Sequence, residues 1–182
     1  MATFIGNNRA NTITGTSRDD DIFGLGGNDD LNGARGDDFV DGGTGNDRIQ
    51  GGFGSDVLEG GAGADRFRWD DFGTGDSFAA RADVITDFAR GDKIDLTAVD
   101  VFDFGGFGDS SPSEGEWSIW SDGGDQFVTW NTFGEFHDVE VQGKSVAFGD
   151  VIGAAQVLGA AVLLTGIALS VRPGSRGHPA LC

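Results

Sequence analysis

The chain has 182 residues, with 30 acidic side chains against 12 basic ones and a formal charge of −18. Every acid falls before Val151, so residues 1–152 hold ten basic and thirty acidic groups, a balance of −20. Such a field repels nucleic acid and anionic membrane, and it opposes compaction unless counter-ions bind. The one cysteine is the last residue, Cys182, which excludes an intramolecular disulfide.

No long apolar run opens the chain, so no cleavable signal peptide is expected. Residues 1–5 read as a first strand. From Gly6 the sequence runs in nines. Five nonads in strict register begin at Gly24, Gly33, Gly42, Gly51 and Gly60, with a second glycine at place four: Gly27, Gly36, Gly45, Gly54 and Gly63. Place six carries Asp29, Asp38, Asp47, Asp56 and Asp65, and place eight carries Leu31, Val40, Ile49, Leu58 and Phe67. Two looser units precede them, Gly15…Asp20…Ile22 and Gly6…Asn11…Ile13. One apolar residue flanked by two variable ones makes a short strand with its middle side chain inward. Two strands and two loops then make a coil of eighteen residues, so place-six residues stack in two ladders: Asn11, Asp29, Asp47, Asp65 on one side and Asp20, Asp38, Asp56 on the other.

The aspartates supply the hard anionic oxygens that calcium prefers, and glycine allows loop carbonyls to turn toward the same point, so two adjacent coils can offer the six to eight oxygens calcium takes. Several calcium ions are expected between rungs, held by these aspartates, Asn11 and the ten glycines named above. Asp30 and Asp41 flank the strands and are expected to face solvent. The repeat Gly-Gly-x-Gly-x-Asp-x-apolar-x resembles the calcium-binding nonapeptide of RTX proteins. A disordered linker has no reason to hold an apolar residue at every ninth place, and a phosphate-cradling loop needs a helix to open after it. No helix pattern follows any of these loops.

Glycine thins out and aromatics appear from Arg66 to Trp69. A solenoid needs a cap over its last coil, and the expected division is a roll over 1–68, a β-rich, sandwich-like cap over 69–152 and an apolar tail over 153–182. A loop is expected at 70–81, then strands at Asp83–Phe88 and Lys93–Thr97. The runs Gly60–Arg68, Ala82–Phe88 and Gly91–Leu96 resemble the C-terminal region of serralysin-type secreted metalloproteases and are similar to the calcium-binding modules of bacterial mannuronan epimerases. The resemblance covers about residues 6–152. It implies an all-β parallel roll, secretion to the outside of the cell by type I machinery, and folding there on calcium.

Phe102, Phe104 and Phe107 in the following glycine-rich stretch read as core plugs. Glu116–Trp120 and Gln126–Trp130 read as a β-hairpin, with a third strand at Phe136–Val141. Trp117, Trp120 and Trp130 suit packing in a sheet, with a sugar-binding platform as the alternative. His137 reads as a surface strand residue. Ser145–Ile152 resembles the ends of type I secreted proteins, where an acid is followed by apolar residues. Beyond it, Gly153–Val171 has nineteen residues of which only Gln156, Thr165 and Ser170 are polar. Three readings of that tail stay open: a segment foreign to the module, a buried or interfacial helix, and a membrane span.

No catalytic constellation is legible. The metalloprotease pattern H-E-x-x-H and the nucleophile elbow G-x-S-x-G do not occur, and His137 and His178 are the only histidines. A carboxylate-only hydrolase is the residual enzymatic reading. In the resembling families the chemistry lies in an upstream domain, which this chain is expected to lack. The sequence therefore points to a non-enzymatic extracellular calcium-binding module, with a calcium-dependent polysaccharide- or surface-binding module, or an accessory module of a secreted enzyme, as alternatives.

Overall fold

The computed structural model describes residues 1–70, 83–98, 103–107, 116–122, 125–132, 135–143, 146 and 150–153. Ten short strands build the roll: β1 (Thr3–Asn7), β2 (Thr12–Thr14), β3 (Asp21–Leu25), β4 (Asp30–Arg35), β5 (Phe39–Asp41), β6 (Arg48–Phe53), β7 (Val57–Glu59), β8 (Arg66–Asp70), β9 (Asp83–Phe88) and β10 (Lys93–Ala98). Odd strands stack in parallel on one side and even strands on the other. Register follows the nonad: Ile22 lies over Val40 and Val40 over Leu58, while Leu31 lies over Ile49 and Ile49 over Phe67.

Place eight points inward throughout. Ile22, Leu31, Val40, Ile49, Leu58 and Phe67 are all fully buried, with Phe4 and Ile13 partly covered at the open end. The stack continues past Arg68. Leu58 pairs with Ile85 and Phe67 with Ile94, both 0% exposed, so β9 and β10 complete a further coil. The step from one coil to the next here is 27 residues instead of 18, a difference of one nonad. The extra length lies in the segment 71–82, outside the described residues.

The outer faces differ. On β3, β5 and β7 they carry Phe23, Phe39 and Val57, with the two phenylalanine rings 5.7 Å apart. On β6, β8 and β10 they carry Arg48, Arg66 and Lys93, which pair with Asp30 at 3.6 Å, Asp95 at 3.2 Å and Asp150 at 3.0 Å.

The later strands are β11 (Asp103–Phe107), β12 (Glu116–Asp122), β13 (Asp125–Thr132), β14 (Glu135–Gly143) and β15 (Val151–Gly153). The expected hairpin forms, with Trp117 opposite Trp130 and Trp120 opposite Phe127. β14 pairs antiparallel with β13 and parallel with β9, so this meander extends the odd-strand sheet of the roll. Trp130 is 4% exposed and meets Trp69 edge-on at 5.9 Å. That contact joins the meander to the roll's core and takes Trp130 out of any exposed sugar platform. β15 pairs with β10, with Val151 buried and Gly153 beside Leu96, so strand pairing reaches one residue past Ile152. Phe102, the side chains of Phe104, Phe107, Trp117, Trp120 and His137, and residues 154–182 lie outside the described residues. No helix long and apolar enough to cross a membrane occurs among those described.

Candidate metal centre

Each place-six aspartate is held by its neighbour one coil away. Oδ1 of Asp29, Asp47 and Asp65 accepts the backbone N–H of Asn11, Asp29 and Asp47 at 2.6, 2.7 and 2.8 Å. On the other side Oδ1 of Asp20, Asp38 and Asp56 accepts the N–H of Ala2, Asp20 and Asp38 at 2.7, 2.7 and 2.8 Å. Both ladders run one rung further than the nonads do. Asp83 Oδ1 accepts Asp56 N–H at 2.9 Å, and Asp92 Oδ1 accepts Asp65 N–H at 3.0 Å. Sequence reasoning missed these two rungs. The signal was present: Asp83-Val-Ile85 and Asp92-Lys-Ile94 repeat the Asp-x-apolar core of the nonad, nine residues apart.

The second carboxylate oxygen carries the chemistry. Oδ2 of Asp29, Asp38, Asp47 and Asp65 is buried with no hydrogen-bond partner. A buried anionic oxygen without a donor costs several kcal/mol unless it is protonated or meets a cation, so these atoms ask for one. Glycine at place one keeps the space beside them open. A Cβ on Gly42 would come within 2.6 Å of Asp47 Oδ2 and 2.8 Å of the Gly60 carbonyl oxygen one coil on. Gly24 and Gly33 stand in the same relation to Asp29 and Asp38, and Gly51 and Gly60 crowd Asp56 and Asp65. At place four, Gly45 has φ +139° and lies directly over the Gly27 carbonyl, where no side chain fits; Gly63 lies over Gly45 in the same way. Gly27, Gly36 and Gly54 also take positive φ. The place-one glycines thus bring carbonyl oxygens beside buried carboxylates, and the place-four glycines let the loops stack.

Burial pushes the carboxyl of Asp38 up to about 6 and that of Asp65 up to about 7, and raises Asp47 as well, with neighbouring aspartates adding to the shift and the ladder hydrogen bonds opposing it. Asp83 rises to about 6 for the same first cause, although the Trp69 indole N–H donates to its Oδ2 at 2.8 Å. Asp20 goes the other way. The Thr16 hydroxyl, donating to its Oδ2 at 2.7 Å, holds it below its ordinary value. Of the two flanking acids expected in solvent, Asp30 is exposed beside Arg48, whereas Asp41 is half-buried and accepts the Gly43 N–H.

No group of three or more His, Cys, Asp or Glu side chains gathers at one point among the described residues. The geometry explains this: a coil offers one carboxylate per ladder, and the remaining oxygens near it are carbonyls. An all-oxygen set with buried anions suits a hard divalent cation such as calcium and offers nothing to a thiolate- or imidazole-seeking metal. Asp29, Asp38, Asp47 and Asp65 fit it best, with Asp56 in the same position in its coil.

The raised carboxyls give the metal-free chain a definite pH dependence. Their folded pKa lies above the unfolded value of about 3.9, so the folded state binds more protons and its stability falls as pH rises between about 4 and 7. In chelator the β signal should therefore be stronger at pH 5 than at pH 8. The calcium midpoint should move to lower concentration over the same rise, because protons compete for the same oxygens. Circular dichroism at the two pH values checks both, and a metal-free spectrum indifferent to pH would count against the buried ladder.

The family comparison agrees with this geometry. Residues 5–40 and 41–68 match the family model of the RTX calcium-binding nonapeptide repeat. Among solved structures, the AlgE6R3 subunit of the Azotobacter vinelandii mannuronan C5-epimerase is 27% identical, with 94% of this chain and 93% of that one covered and a TM-score of 0.33. The AlgE6R2 subunit of the same enzyme is 21% identical, with 81% and 93% covered and a TM-score of 0.35. No curated protein matches the chain. Residues 5–68, with their buried aspartate ladders and inward column of apolar side chains, are RTX calcium-binding nonapeptide repeats wound into a parallel β-roll.

Proposed function

We propose that this chain is a non-enzymatic extracellular module that leaves the cell unfolded by type I secretion and folds outside on binding several calcium ions at its aspartate ladders. The observation that carries the reading is the row of buried, donorless Oδ2 atoms on Asp29, Asp38, Asp47 and Asp65. Without cations these oppose the fold, and with cations they hold adjacent coils together. Because cytosolic calcium is low and extracellular calcium high, the same atoms make folding depend on compartment. The −20 balance of residues 1–152 supports an unfolded state in low calcium. The acid-then-apolar run at Asp150-Val-Ile152 supports export through type I machinery by its resemblance to the ends of such substrates. The lack of any metalloprotease or nucleophile-elbow pattern supports a binding role over a catalytic one.

The test is export from a bacterium carrying a type I exporter. The chain should appear in the medium, resist protease there when calcium is present, and lose that resistance in chelator. A chain that stays in the cytosol and is already protease-resistant at cytosolic calcium would overturn the reading.

A further inference from the structure

Six of the seven nonads fall into two physical classes, and the unit at Gly60 has positive φ at Gly61 only. In those beginning at Gly24, Gly33, Gly42 and Gly51, the residues at places two and four both have positive φ, even where place two is not glycine: Leu25 stands at 73° and Ala34 at 81°. In those beginning at Gly6 and Gly15, none of Asn7, Arg9, Thr16 or Arg18 does. Place four, glycine in every later unit, is Arg9 and Arg18 in these two.

The side chain at place six behaves differently as well. Asp20 Oδ2 accepts the Thr16 N–H and the Thr16 Oγ–H, each at 2.7 Å, and Thr16 Oγ in turn accepts the Arg18 N–H at 3.3 Å. Asn11 is neutral, and its Oδ1 accepts the Asn7 N–H at 2.7 Å. In both loops the place-two N–H closes onto the place-six side chain. The corresponding oxygen of Asp29, Asp38, Asp47 and Asp65 has no donor. Asp20 is as buried as those rungs, at 2% exposed, so the difference lies in its partners and not in its depth.

We propose that residues 6–23 form a calcium-free capping coil, in which Thr16 and Asn7 supply the donors that a cation supplies elsewhere in the roll. Asn11 and Asp20 are rungs of the ladder by position, but they end it and bind no ion. This rests on the calcium reading above. A solenoid needs atypical terminal repeats because its end coil has a neighbour on one side only. The Gly33 carbonyl of the next coil stands near Asp20 Oδ2 much as the Gly60 carbonyl stands near Asp47 Oδ2, so what sets this loop apart is the donors inside it. A hydroxyl and an amide N–H complete the carboxylate from within the same loop.

The test counts ions on the full chain by calorimetry and by native mass spectrometry in calcium. Asp20→Asn should bind as many calcium ions as the unmodified chain, whereas Asp38→Asn should bind fewer. The double variant Thr16→Gly with Arg18→Gly, which restores the later loop pattern beside Asp20, should bind one more. If Asp20→Asn loses an ion, or if the double variant folds and gains none, the capping coil is wrong. Should Asp20→Asn not fold in saturating calcium, the double variant decides alone. An unmodified chain that binds no calcium would instead sink the reading on which the proposal rests, so the two failures are distinguishable.

Discussion

Adding excess chelator to the full chain should abolish most of its far-ultraviolet β signal, and calcium should restore it in one cooperative step. Each nonad buries one inward side chain, worth about 1.5–3 kcal/mol, and that is less than ordering nine residues costs. Against this small gain stand carboxylates stacked in register and buried to 1–3% exposure, four of them with an oxygen that meets no donor. Burial raises the carboxyls of Asp38 and Asp65, and the charges of neighbouring rungs raise them further, which is repulsion along the ladder. A cation between rungs removes the desolvation cost and the repulsion together and joins two coils. Binding at one gap orders the next coil, so the steps couple. Extracellular calcium modules bind at about 10⁻⁴–10⁻³ M, and the folding midpoint should fall in that range. A spectrum that chelator leaves native would show that the core holds the coils without metal.

Asp47→Ala should raise the calcium midpoint at least about tenfold, while Asp41→Ala should leave it within about threefold. The two side chains are six residues apart and carry the same charge. Asp47 is buried at mid-ladder, with Oδ1 holding the Asp29 N–H at 2.7 Å and Oδ2 beside Gly42 and the Gly60 carbonyl. Truncating it removes an anionic oxygen from a cation site and leaves a buried N–H unpaired. A hydrogen bond to a charged group is worth about 1.5–3 kcal/mol, and about 1.4 kcal/mol is a factor of ten. Asp41 accepts one local N–H, from Gly43, and its carboxyl is raised by burial and by the facing Asp87. Its loss removes one hydrogen bond and one repulsion, which offset each other. Calcium titrations followed by circular dichroism read the difference, and equal midpoints for the two variants would overturn the ladder assignment.

The roll was legible because places one, four, six and eight of the nonad are physically forced. Period nine fixes which side chains point inward and which stack, so the column from Ile22 to Phe67 and both aspartate ladders follow from spacing alone. Asp83 and Asp92 were harder to find because the segment 71–82 interrupts the period, although the Asp-x-apolar core resumes after it. Thr16 gave no local sign of its role, since place two tolerates Leu25, Ala34 and glycine alike. Its function emerges only from where its hydroxyl meets Asp20. Asp41 was placed in solvent by strand alternation, but its own loop folds the Gly43 N–H back onto it. The packing of Trp130 on Trp69 and the pairing of β14 with β9 join residues far apart in the chain, and no periodic pattern encodes such contacts.

The coil step carries a constraint of parity. Strands alternate between the two sides of the roll every nine residues within the nonads, whereas the interrupted step, 27 residues in place of 18, still leaves Ile85 on the side of Leu58. Loss or gain of eighteen residues would return every later strand to its own side and leave the meander on the same sheet. Loss or gain of nine in an uninterrupted stretch would send every later strand across. A loss or gain of nine between Asp30 and Arg48 would carry Arg48, Arg66 and Lys93 to the side that now shows Phe23; Asp95 and Asp150 would cross with their partners, and Asp30 would be left behind. Within the uninterrupted nonads length is thus counted in whole coils, and the exposed faces inherit their separate chemistries from that count.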